Sequence, residues 1–244
     1  SVSFVNNWSS IILAPDLGHS PSPSIVNLST NTHTTLEKPM NSVSNSANDA
    51  ERHQRKMEKQ KAKVDAAIER AQEERGVVIV LTGTGKGKSS SGFGTVIRTL
   101  GHGYHAGIVQ FIKGTWDCGE IKILKSLPNL RHEVMGSGFT WNTQDKEKDQ
   151  QAFDQVWPLA LEMLSDDNLR TVMLDEITYM LAYGHLQWED LQVALENRPK
   201  HQNVILTGRG APTALRDFAD TLTDMKMEKH AFKAGVKAQA GIEW

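Results

Sequence analysis

Cysteine is nearly missing from this chain: Cys118 is the only one among 244 residues. A disulfide framework within the chain is excluded, which suits a reducing, cytoplasmic setting. A single thiol of this kind is ordinarily a small buried hydrophobe rather than a nucleophile. An excess of charge of one sign is lacking too, since 27 Lys and Arg against 29 Asp and Glu leave a formal net charge of −2. That balance gives no global electrostatic reason to expect nucleic acid or a membrane surface as partner. No apolar run is long enough to span a bilayer, and no internal repeat is found.

Arginine is absent from residues 1–48, which are rich in Ser, Asn, Thr and Pro. This composition predicts a disordered N-terminal extension. The missing arginine, together with Asp16 and Glu37, argues against a transit peptide. Residues 49–75 change character and predict a charged N-terminal helix, with Val64, Ala67, Ile68 and Ala71 as one thin apolar stripe. Its first half is basic, through Arg52, Arg55, Lys56, Lys59, Lys61 and Lys63. Two readings stay open: a solvated helix docked weakly, or a mobile lid over an anionic ligand. Gly76 is the expected helix stop.

Residues 76–244 carry the chemistry. The β-branched run Val77 to Leu81 ends in Thr82-Gly83-Thr84-Gly85-Lys86-Gly87-Lys88-Ser89-Ser90 and opens into a helical pattern. Strand, glycine turn, Lys-Ser and helix in this order are the grammar of a phosphate-binding loop. Glycines let successive backbone N–H groups converge on an anion, and the helix adds its positive N-terminal end. Lys88 supplies a point charge for phosphate oxygens, and the Ser89 hydroxyl is a Mg²⁺ ligand candidate. Gly83 and Gly87 enclose three residues where the usual pattern has four before its Gly-Lys pair, so the nucleotide is expected to be held in a non-standard way. The competing reading is a plain glycine turn.

The second signal is Arg170-Thr171-Val172-Met173-Leu174-Asp175-Glu176, a buried strand ending in an acidic pair. Phosphate-loop enzymes hold Mg²⁺ in this manner; a strand-end acid that caps the next turn is the alternative. Arg209 follows the strand Asn203 to Thr207, where a guanidinium pairs with phosphate or simply faces solvent. Helices are expected over Ser89–Leu100, Asp145–Leu164, Tyr179–Tyr183 and Trp188–Asn197, with Pro158 kinking or splitting the second. Further strands are expected over Gly107–Ile112, His132–Met135 and Asp220–Met227. Lys113 to Glu120 is read as a loop at a strand's carboxyl end, and the tail from His230 as a segment that folds back over the site. Phe139 and Trp141 lie on a glycine-hinged polar loop, as packing anchors or as an apolar wall for a flat ligand. Together these elements predict an α/β domain with a mainly parallel sheet and flanking helices.

From Glu51 to Trp244 the chain resembles the ATP:corrinoid adenosyltransferases of the bacterial phosphate-loop type. The resemblance rests on Gln72 to Gly76, Gly83 to Ser90, Gly101-His102-Gly103, Gln110 to Trp116, Gly138 to Trp141, Leu174-Asp175-Glu176, Thr207 to Gly210 and Gly235 to Gln239. It implies a RecA-like phosphate-loop fold. It also implies transfer of the 5′-deoxyadenosyl group of ATP to the Co(I) of a reduced corrinoid, with triphosphate leaving. It assigns ATP binding to Gly83, Thr84, Gly85, Lys86, Gly87, Lys88, Ser89, Ser90 and Arg209, and Mg²⁺ (or Mn²⁺) to Ser89, Asp175 and Glu176. Lys88 and Glu176 would act in catalysis. Phe139 and Trp141 would crowd the lower corrin face, expel its axial ligand and ease reduction. The helix before Gly76 would cover the corrinoid, and a homodimer and a flavoprotein electron donor are implied. Ser89-Ser90 stand where the family commonly has Thr-Thr, and Thr84 replaces a usual Asn. The rival functions are an ATP hydrolase or kinase on the same fold, and a non-catalytic nucleotide- or corrinoid-sensing module.

Overall fold

A computed structural model of the chain describes residues 43–112, 118–136 and 146–243. The expectations placed on residues 1–42, on Lys113 to Asp117 and on Phe139 and Trp141 lie outside the described residues. The chain divides into two compact units, with the boundary between Glu73 and Glu74.

The described part of the first unit is a 28-residue helix, α1, Val43–Arg70. It begins inside the stretch expected to be disordered and ends before Gly76. Of the expected stripe, Ala67, Ile68 and Ala71 are exposed. Side chains one turn apart support such a helix locally, as where Gln54 donates to Glu58 at 3.1 Å. Gly76 serves another purpose than ending α1: a Cβ there would stand 2.1 Å from the Gln202 carbonyl oxygen, so close backbone approach demands glycine.

Among the described residues, the second unit is built on six parallel strands in the order β3-β2-β4-β5-β1-β6. They are β1 Val78–Thr82, β2 His105–Gln110, β3 Leu130–Val134, β4 Leu169–Asp175, β5 Asn203–Thr207 and β6 Thr221–Asp224. The helices are α2 Lys88–Gly101, α3 Gly119–Leu124, α4 Lys146–Ser165, α5 Ile177–Ala182, α6 Trp188–Glu196 and α7 Thr213–Phe218, and a 3₁₀ turn spans Ala231–Ala234. Strand residues alternate faces, and the apolar runs use both faces. Val80, Val172, Leu174, Val204 and Leu206 join one core with Phe153, Val156 and Leu164 of α4 and Leu191 and Leu195 of α6. Leu81, Ile108, Met173 and Ile205 join the other with Phe93 and Val96 of α2. Burial on both faces is why these strands read as continuous apolar runs rather than alternating ones.

Three local readings are corrected. The second strand ends at Gln110, two residues before the expected limit. Phe111 still donates its N–H to the Asp175 carbonyl at 3.0 Å and is fully buried, which gave the apolar run its length. Within the expected loop 113–120, residues 119 and 120 instead begin α3. Pro158 does not split α4, because it lies on the exposed side, where water can satisfy the freed carbonyl of exposed Asp154. No helix among the described residues is long and apolar enough to cross a membrane.

Candidate functional site

Parallel strands bring all their carboxyl ends to one rim, the place where open α/β sheets bind ligands. Leu81 pairs with Thr207, Leu174 with Leu206 and Gln110 with Asp175. The glycine loop after β1, the acidic pair after β4 and Arg209 after β5 therefore meet. β5 lies between β1 and β4, so the loop and the acids face each other across one intervening strand.

The loop has an outer and an inner side. On the outer side, Gly85 donates its N–H to the Met225 carbonyl at 2.6 Å, and Met227 donates to the Thr84 hydroxyl at 3.4 Å. A Cβ on Gly83 or Gly85 would lie 2.5 or 2.8 Å from the Met225 carbonyl oxygen. These two glycines are required by the segment after β6, which presses against the loop. The inner side opens into a cavity of about 460 Å³ reached by Gly85 through Ser90, Glu176 and Arg209. Gly83 and Thr84 thus belong to the clasped side, while the other expected nucleotide residues line the space.

Gly87, at φ 107°, starts α2 with no side-chain cap. The first-turn amides are left for a ligand, and they add to the positive helix end. Lys88 is 7% exposed and donates to the Gly85 carbonyl at 2.7 Å. Burial pushes its ammonium below the usual lysine range, against the pull of Glu176.

The acidic pair divides its labour. Asp175 is fully enclosed, and burial pushes its carboxyl up. Thr207 donates to one of its oxygens at 2.7 Å and Gln110 to the other at 3.1 Å. Ser89 lies close enough to favour its charged form as well. Asp175 does not line the cavity and instead anchors what does. The Glu176 N–H donates to the Thr207 hydroxyl at 2.9 Å. Its backbone is left-handed, φ 60°, the one non-glycine positive φ among the described residues. Such a conformation costs on the order of 1 kcal/mol and is typical of functional turns. It aims Glu176 into the cavity, where Oε2 is buried with no hydrogen-bond partner. Burial first, and the neighbouring Asp175 next, push its carboxyl up to about 7, opposed by Lys88 and Arg209.

That unsatisfied oxygen fits a cation. Among the described residues there is no group of three or more His, Cys, Asp or Glu that could hold one unaided. Mg²⁺ suits such a place, because it keeps waters and takes phosphate oxygens beside one or two protein oxygens. Ser89 and Glu176 offer those oxygens.

Two acidic cavity residues were not foreseen. Glu120, in the first turn of α3, accepts from the Cys118 thiol at 2.8 Å and stands 3.5 Å from the Ser90 hydroxyl. Its signal was position alone, shortly after the carboxyl end of β2. Burial and that carboxylate push the Cys118 thiol up, in keeping with its part as a hydrogen-bond donor. Glu243 forms an ion pair with Lys86 at the cavity mouth. The expectation that the tail folds back was general, and nothing in the sequence singled out this residue.

The chain was compared with known proteins. Residues 74–244 match the family model described as ATP:corrinoid adenosyltransferase BtuR/CobO/CobP, and residues 40–68 match the model described as Cob(I)alamin adenosyltransferase N terminal. The corrinoid adenosyltransferase of Escherichia coli (strain K12) is 49% identical over 194 residues, covering 80% of this chain and 98% of that one. Corrinoid adenosyltransferase CobA of Salmonella typhimurium is 50% identical over 194 residues with the same coverage. The corrinoid adenosyltransferase of Pseudomonas aeruginosa is 46% identical over 195 residues, covering 80% of this chain and 96% of that one. With a model spanning the whole second unit and three such relatives matched almost end to end, the chain belongs to the ATP:corrinoid adenosyltransferase BtuR/CobO/CobP family.

Proposed function

We propose that the cavity at the sheet rim binds the triphosphate of ATP and presents carbon 5′ of its ribose to the cobalt of a reduced corrinoid. The observation that carries this reading is the convergence there of uncapped α2 amides, Lys88, Ser89 and the unsatisfied Glu176 carboxylate. The Co(I) electron pair forms a cobalt–carbon bond, the bond from carbon 5′ to oxygen breaks, and its electrons leave on triphosphate. Negative charge therefore grows on the triphosphate oxygen, where loop amides, Lys86 and Lys88 stabilise it. Mg²⁺, held by Ser89 and Glu176, adds charge neutralisation when bound. Asp175, through Thr207, positions the Glu176 backbone. Arg209 takes the far side of the phosphates.

The hard chemistry belongs to the corrinoid, while the protein supplies orientation and electrostatics. Phe139 and Trp141 form an apolar wall against the lower corrin face, and loss of the axial ligand makes Co(I) accessible. In sequence they follow β3, whose last residue pairs with Gln110 at the same rim. A Co(I) product of reduction requires a low-potential electron donor, for which a flavoprotein is suited. A homodimer completes the reading.

The test is anaerobic incubation with ATP, Mg²⁺ and chemically reduced cobalamin, followed spectroscopically. A light-sensitive cobalt–carbon bond formed in step with triphosphate supports the reading. Orthophosphate, or ADP with a phosphorylated acceptor, without that bond would replace it with a hydrolase or kinase. Ligand binding without any turnover would leave a sensing module.

A further inference from the structure

The three cations that line the cavity, Lys86, Lys88 and Arg209, are matched by three carboxylates, Glu120, Glu176 and Glu243. Each of these carboxylates offsets a cation that a polyphosphate chain would use, alongside the helix amides. The carboxylates differ in how they are held. Glu176 is fixed beside the buried Asp175, and Glu120 is tied to Cys118 at the start of α3. Glu243 arrives on a different kind of segment. Every residue from 231 to 243 is exposed, including Phe232 and Ile242 at 72% and 65%. Little burial therefore resists its movement. A turn at Gly241, φ 81°, with the Glu243 N–H donating to the Gln239 carbonyl at 2.9 Å, directs the carboxylate back to the loop. There it pairs with Lys86, the side chains of Lys86 and Glu243 being 46% and 27% exposed.

We propose that Glu243 is an affinity-determining residue of this site: its carboxylate stands where a phosphate oxygen would stand on Lys86, and a polyphosphate must displace it. The proposal rests on the nucleotide reading above and adds to it a competitor carried by the chain itself. When Glu243 leaves, the cavity lining gains one net positive charge. When the triphosphate leaves after reaction, Glu243 returns to Lys86 and opposes rebinding. The residue thereby sets how tightly the site keeps its leaving group as well as how tightly it takes ATP.

The test is titration of the full chain with inorganic triphosphate and with Mg²⁺–ATP at low ionic strength, comparing wild type, E243Q and E243D. An exposed ion pair is worth a few tenths to one kcal/mol, so E243Q is expected to lower both Kd values about threefold. E243D is expected to stay near wild type, and the difference should shrink at high salt. Loss of a merely structural contact would loosen binding, not tighten it. Unchanged or weaker triphosphate binding by E243Q would overturn the proposal while leaving the nucleotide reading intact. Failure of the wild type to bind triphosphate or ATP would instead overturn the nucleotide reading, and the proposal with it.

Discussion

Replacing Glu176 by Gln should stabilise the metal-free protein at alkaline pH while removing its adenosylation activity. The carboxyl is pushed from 4.5 up to about 7 by burial and by Asp175. Below about pH 4.5 the folded and unfolded chains both hold the proton, and the group contributes no difference. Between about 4.5 and 7 the unfolded chain releases it while the folded chain retains it, so stability falls as pH rises. Above about 7 the full cost is reached. At about 1.36 kcal/mol per pH unit, the interval from 4.5 to about 7 amounts to about 3 kcal/mol. Gln keeps the shape and a polar head without the charge, and so avoids this cost. For a domain of this size, that corresponds to a rise in melting temperature of about 6–12 °C at pH 8.5, converging with wild type near pH 4. Thermal melts in the presence of a chelator measure it. A Gln variant that melts at or below wild type at pH 8.5 would refute the argument that burial strains this carboxylate. Adding Mg²⁺ and ATP should reverse the order, because only the wild type gains the ligand's stabilisation.

Other outcomes follow from the same geometry. Lys88→Ala should lower kcat for adenosyl transfer by about 10²-fold or more, the usual loss when one preorganised donor to a developing oxyanion is removed; single-turnover kinetics with pre-reduced cobalamin measure it, and unchanged turnover would take Lys88 out of the chemistry. Gly85→Ala should weaken folding and nucleotide binding together, since the added Cβ meets the Met225 and Lys226 carbonyl oxygens at 2.8 Å; a melt and an ATP titration suffice. Phe139→Ala and Trp141→Ala should impair reduction of the bound Co(II) corrinoid far more than ATP affinity. Comparable losses in both would place these side chains elsewhere.

Much of the fold was legible because its central strands are buried on both faces. β5 was read to the residue, because Asn203 and Thr207 bound a run of three apolar residues. The loop and the Asp175-Glu176 pair were legible as chemistry, since strand–turn–helix order restricts what glycines and Lys-Ser are for. The strand order was not, because which strand lies beside β1 depends on tertiary packing. α3 escaped because six residues give too few turns for a helical period to register. The division of roles between Asp175 and Glu176 was left open by the sequence; it is decided by a backbone dihedral, and composition does not report dihedrals. Glu243 was invisible for another reason: its significance comes from Lys86, far away in the chain, and not from its neighbours.

Thr207 touches both halves of the acidic pair. Its hydroxyl takes a proton contact from the Glu176 amide and gives one to Asp175, while its backbone sits opposite Leu81 just before the glycine turn. An uncharged residue on the middle strand is thereby the mechanical reference for a charged site whose two halves share no ladder of their own. Any shift in the pitch of β5 would move the carboxylates and the phosphate cradle as one body. Alignment of the two would then survive breathing of the sheet, and a methyl in place of that hydroxyl would keep both ladders but free the acidic pair from its anchor.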